Sequence, residues 1–217
     1  GFKLQAYTPF RKLFSNENMK IKPESLDLFL TYLKSKQIDF VALKDLKAYL
    51  NSYTGKKGYV VFTMDDGYKD NLYEALPIFK KHNVPFTIFI TSNFPDRKAV
   101  LWWYILEDLI RSNERITLSN GITYSCRTIE EKEKAFLEIR SEILKLNQQN
   151  IVIELDKLFS NYSINWFEKN DALCESKTFQ KYVLDNVNLN GMVFFAHNKG
   201  SNNFESTNPD LIKDNIF

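Results

Sequence analysis

Asp65 and Asp66 stand side by side at the end of the run Tyr59-Val60-Val61-Phe62-Thr63-Met64, and Gly67 follows at once. Neighbouring carboxylates at the end of a buried strand repel each other and lose solvation, so a fold that keeps them must offset the cost. A divalent cation is the simplest offset. Successive residues of an extended chain point to opposite sides, so both acids face one ligand only if the chain bends just after the strand. Gly67 permits that bend. One carboxylate on a metal and the other facing a water held by it would make a Lewis-acid site with its own general base. The tripeptide alone also suits a solvated turn with an acidic helix start, because Asp favours turns and N-caps.

A second group with the right chemistry lies far along the chain. Asn190-Gly191 leads into the apolar run Met192-Val193-Phe194-Phe195-Ala196, which reads as a buried strand with His197 at its end. That placement mirrors Asp65-Asp66, so an imidazole and an acidic pair at two strand ends could converge on one cleft, although a lone His after a strand is commonly structural. The other histidine, His82, falls at a predicted helix C-terminus, where its charge complements the dipole.

These residues need elements to carry them. Leu72, Ala75, Leu76 and Phe79 recur at helical spacing, Lys80-Lys81-His82 close that helix, and Asn83-Val84-Pro85 breaks it before the strand Phe86–Thr91. The unit is strand, acidic loop, helix, strand, and in folds built this way chemistry sits at the C-terminal ends of strands. Upstream, Phe2–Tyr7 reads as a strand, and Lys22-Pro23 opens a helix with Leu26, Phe29, Leu30 and Leu33 as its core stripe. Ile38–Ala42 reads as a brief strand and Lys44–Leu50 as a short helix. Downstream, Trp102, Ile105, Leu106 and Leu109 make one helical face, Ile116–Tyr124 a hairpin around Asn120-Gly121, and about 129–147 a long helix. Residues at about 97–188 therefore read as a mostly helical insertion, and the alternating strands and helices around it as a parallel α/β sheet or barrel.

Composition narrows the function classes. With 29 basic and 27 acidic side chains, the net charge of +2 gives no footprint for nucleic acid. No apolar run reaches the roughly 20 residues of a membrane-spanning helix, and Gly1-Phe2-Lys3 is no signal peptide, although a leader removed earlier is compatible with a chain that does not start with Met. Cys126 and Cys174 have no paired metal spacing, so neither a disulfide framework nor a zinc ribbon is expected. The 18 Phe, 11 Tyr and 3 Trp suit a large core first and a sugar-binding cleft second.

The segment Phe62-Thr63-Met64-Asp65-Asp66-Gly67-Tyr68-Lys69-Asp70-Asn71, followed by Ala75-Leu76-Pro77-Ile78-Phe79-Lys80 and Val84-Pro85-Phe86-Thr87-Ile88-Phe89, resembles the polysaccharide deacetylases of carbohydrate esterase family 4. The resemblance covers about residues 2–110 and 190 to the end. It implies a single domain over 1–217, a distorted, incomplete (β/α) barrel with a helical insertion, and metal-dependent hydrolysis of an acetamide on an N-acetylated poly- or oligosaccharide. Such an enzyme is an amidohydrolase acting on carbon–nitrogen bonds other than peptide bonds. By the resemblance Asp65 is the general base, Asp66 and His197 are metal ligands, and zinc is the expected metal. The second motif histidine of the family is replaced by Ser201, Tyr7-Thr8 stands where many relatives have Tyr-His, and later family motifs have no counterpart before Phe217. The chain thus resembles a diverged or truncated member. A catalytically inactive, carbohydrate-binding relative without its metal is the alternative. Bacterial cytoplasm and cell envelope both fit, and the oligomeric state stays open.

Overall fold

The computed structural model describes residues 3–4, 13–17, 20–91, 93–94, 96–173 and 193–196. The chain divides into two compact units: Gly1–Tyr7, Lys20–Arg97 and Leu173–Phe217 form one, and Thr8–Met19 with Lys98–Ala172 the other.

In the first unit every described strand pairing is parallel. Phe62–Asp66 lies beside Phe86–Thr91, with Phe62 opposite Phe86 and Asp65 opposite Phe89. Val193–Ala196 lies along the other side of Phe86–Thr91, with Thr91 opposite Ala196. Just upstream of the acidic strand, the separate short strand Tyr59–Val60 pairs with Asp39–Phe40, and Lys3–Leu4 pairs with Lys20–Ile21. Parallel strands need crossover connections, which the helices Pro23–Ser35, Leu46–Ser52 and Leu76–His82 help to supply. The architecture is mixed α/β, and among the described residues no closed ring of strands is formed.

Burial alternates along the acidic strand: Phe62 and Met64 are buried, Thr63 and Asp65 exposed. Phe62 and Met64 join Leu26, Leu30, Ala75, Phe79, Val84 and Ile88 in one apolar cluster, so the helices cover that face of the sheet. Of the stripe expected on the first helix, Leu26 and Leu30 are buried, whereas Phe29 is 40% exposed. Its ring still meets Phe62 edge-on, 6.4 Å between centroids. The helix Leu76–His82 stops at Asn83, whose φ of 52° and back-bonded N–H make a left-handed cap. His82 does more than complement a dipole. It is buried, and its Nε2 lies 2.6 Å from Asp27 Oδ1 on the first helix, while Lys81 Nζ donates to the same carboxylate at 2.8 Å.

The second unit has its own core. Trp102, Ile105, Leu106 and Ile110 of the helix Trp102–Ser112 pack with Phe136, Ile139 and Ile143 of the helix Ile129–Ile143, joined by Leu155, Phe159 and Trp166. The hairpin pairs Arg115–Thr117 with Thr123–Ser125, and Gly121 turns it at φ 84°. Thr128 and Glu131 cap the long helix reciprocally, each side chain bonding the other's backbone N–H. That helix ends at Ile143, short of the expected 147, because Lys145 and Leu146 bond three residues back and wind the chain into a tighter turn. Leu13 is fully buried in the same core, and its N–H donates to Glu107 Oε1 at 2.7 Å.

Candidate active site

The acidic strand ends in a feature that glycine alone does not account for. Gly67 N–H donates to Asp65 C=O at 3.0 Å, which closes a three-residue γ-turn around Asp66. Asp66 has φ 75° and Gly67 has φ 83°, so the bend begins on the aspartate itself. A γ-turn with positive φ at its centre is rare and strained for a residue bearing a Cβ, and Asp is among the few that tolerate the left-handed region. Such strain persists only where surrounding structure fixes it, and it gathers at functional sites.

The turn changes where the acids point. By strand alternation Asp65 lies on the exposed face with Thr63, whereas Asp66 has the parity of buried Phe62 and Met64. Tipped out of the strand, Asp66 is only partly buried, and Thr91 Oγ1 on the adjoining strand approaches its Oδ1 at 3.4 Å. Beneath the turn Tyr68 and Phe94, both buried, meet edge-on at 4.9 Å between centroids. The chain then enters a π-helical turn over Asn71–Ala75 before the α-helix. Turns of this kind are uncommon and often mark functional positions.

Asn71 went unnoticed as a site residue. It is 2% exposed, and its Nδ2 has no hydrogen-bond partner among the described residues. The signal was present, because residues 71, 75 and 79 share one helix face with the buried Ala75 and Phe79. A buried amide with an unmet donor is a costly arrangement unless a ligand or water meets it.

Asp65 and Asp66 thus stand at the C-terminal end of a parallel sheet. The strand Val193–Ala196 runs in the same direction, so its C-terminus is at the same end. His197 and Ser201 lie outside the described residues, as does Cys174. Among the described residues no three His, Cys, Asp or Glu side chains gather closely enough to hold a metal. Two exposed or half-exposed carboxylates suit a hard divalent cation, and adding one imidazole makes the mixed oxygen and nitrogen set that zinc accepts. Cys126 is no competitor. It is buried in the second unit, where desolvation pushes its thiol pKa up.

Residues 52–149 match the family described as polysaccharide deacetylase. No curated protein matches the chain. Among solved structures, the Streptococcus pyogenes deacetylase PplD in complex with acetate is similar, at 10% identity and a TM-score of 0.37 over 100% of this chain and 96% of that one.

Proposed function

We propose that this chain, whose residues 52–149 match the polysaccharide deacetylase family, is a metal-dependent hydrolase removing an N-acetyl group from a sugar of a poly- or oligosaccharide. The observation that carries this reading is the strained acidic γ-turn at Asp66, which lies inside the matched segment at a strand's C-terminal end. In the proposal residues 1–217 form one distorted, incomplete (β/α) barrel domain, with about 97–188 as its helical insertion.

Asp66 and His197 would hold the cation, zinc being the expected one. When bound, such a cation polarises the acetyl carbonyl and acidifies water. The rest of the work falls to the chain's own groups. Asp65, exposed beside the turn, takes the proton from the attacking water as its oxygen bonds to the acetyl carbon. The proton held by Asp65 then passes to the sugar nitrogen as the carbon–nitrogen bond breaks, so the sugar leaves as an amine, acetate is released and Asp65 returns to its carboxylate. Thr91 Oγ1 helps to fix Asp66. The partner is an N-acetylated poly- or oligosaccharide.

Ser201 favours a second reading. A hydroxyl in place of the family's second motif histidine weakens a zinc site, which suits an inactive, carbohydrate-binding relative. Zinc titration and acetate release over a panel of N-acetylated oligosaccharides separate the two. The hydrolase reading expects stoichiometric zinc binding that is lost in Asp66→Ala and His197→Ala. It also expects Asp65→Asn to keep zinc while losing about 100-fold or more in rate. Ser201→His is expected to tighten zinc binding. Wild-type protein that binds zinc no better than Asp66→Ala, and releases no acetate, would leave only the binding module.

A further inference from the structure

Seven residues before Asp66, on the separate short strand Tyr59–Val60, lies a different kind of surface. Tyr49 and Tyr53 are one helical turn apart, and both rings meet Tyr59, which opens the strand. The three centroids form a triangle with sides of 5.6, 5.3 and 5.3 Å. Tyr53 and Tyr59 remain 38% and 39% exposed, so the cluster presents ring surface to solvent.

The rings are held rather than loose. Tyr49 Oη donates to Asp39 Oδ2 at 2.9 Å, and Tyr53 Oη donates to the Lys57 carbonyl at 2.6 Å. Asp39 is also the register partner of Tyr59, and Lys57 Nζ donates to its other carboxylate oxygen. Burial, and then Asp39, push the Tyr49 pKa up to about 12, so this hydroxyl stays a donor throughout the physiological range. Fixed rings lose little entropy when a ligand stacks on them.

We propose that Tyr49, Tyr53 and Tyr59, rimmed by Asp39 and Lys57, form a saccharide-binding platform that holds a stretch of neutral pyranose polymer away from the acidic turn. The chemistry selects this ligand. A pyranose with equatorial hydroxyls offers an apolar C–H face to aromatic rings and hydroxyls at its edge, which match one carboxylate acceptor and one ammonium donor at the rim. Asp39 and Lys57 offset each other in charge, so the rim pair adds no net charge of its own. Tyr59 and the acidic turn lie on two successive strands, and seven residues of extended chain cover roughly 20 Å, which sets the platform apart from the turn. It therefore binds independently of hydrolysis, and it stands even if the chain is inactive.

Calorimetric titration with chitohexaose and cellohexaose tests the platform. Wild type and Asp65→Asn are expected to bind at least one of them equally well, whereas Tyr53→Ala and Tyr59→Ala weaken binding about tenfold. Tyr59→Phe, which keeps the ring, is expected to retain most of the affinity. Because an alanine variant can fail to fold, nitration of the wild-type tyrosines supplies a second readout: the bound hexamer should slow modification of Tyr53 and Tyr59. No binding of either hexamer by wild type overturns the proposal. So does binding that Asp65→Asn abolishes while Tyr53→Ala and Tyr59→Ala leave it intact, and so does nitration at an unchanged rate.

Discussion

Asp66 carries two demands at once, the carboxylate that we propose holds the cation and a backbone angle that favours glycine. The two can be separated by substitution. Asp66→Gly relieves the positive φ and Asp66→Ala does not, so the glycine variant should be the more stable of the pair by about 1 kcal/mol, although both lack the carboxylate. Urea unfolding of both variants measures the difference, and alanine equal to glycine would mean that the turn is not strained. A second residue-scale expectation concerns Asp27. Hydrogen bonds from Lys81, and then from His82, hold its carboxyl below its ordinary value of 3.8. A depressed carboxylate pKa adds stability above that ordinary value, and the stability is lost as pH falls through the lower, folded value. The urea midpoint of wild type should therefore approach that of Asp27→Asn as pH drops from about 6 toward about 2, by a modest amount because the pair is partly exposed. A constant gap across that range would remove Asp27 from the acid response.

Among the elements, the short helix Phe14–Glu17 owes its place to two carboxylates on neighbouring helices. Glu107 accepts from Leu13 N–H and, at 2.6 Å, from Asn16 Nδ2, while Glu133 accepts from the backbone N–H groups of Phe14 and Ser15 and from Ser15 Oγ. The carboxylates thus meet orphan donors at a helix N-terminus, where negative charge is favoured. Glu107 is 2% exposed, so Glu107→Ala leaves the Leu13 N–H buried without an acceptor and should cost about 2–3 kcal/mol of unfolding free energy. Glu133→Ala, at a more exposed position, should cost less. Equal effects in urea unfolding would contradict this account. Periodicity alone did not expose the role of Glu107. The face written from Trp102, Ile105, Leu106 and Leu109 leaves residue 107 outside it, and its partner Leu13 is 94 positions away.

For the whole molecule, the division into two units has a spectroscopic consequence. All three tryptophans, Trp102, Trp103 and Trp166, belong to the second unit, so tryptophan fluorescence reports that unit. Ile139 is fully buried in its core, and Ile139→Ala should destabilise the unit by about 3 kcal/mol. The fluorescence midpoint should then fall below the transition followed by far-ultraviolet circular dichroism, which sees both units. Coincident midpoints in the variant would show that the units unfold as one.

The acidic strand end, the helix and strand that follow it, the helix that opens at Pro23 and the hairpin at Asn120-Gly121 are all legible in the amino-acid sequence. These depend on periodicity and local sterics, which act between residues a few positions apart. The sequence also held the resemblance that led to Asp65, Asp66 and His197. That the bend falls on Asp66, that Asn71 and Glu107 are buried, and that Tyr49, Tyr53 and Tyr59 cluster beside Asp39 emerges only once the chain is folded. Each of those outcomes depends on which distant groups pack nearby. Burial and strain are set by such neighbours, and local pattern does not encode them.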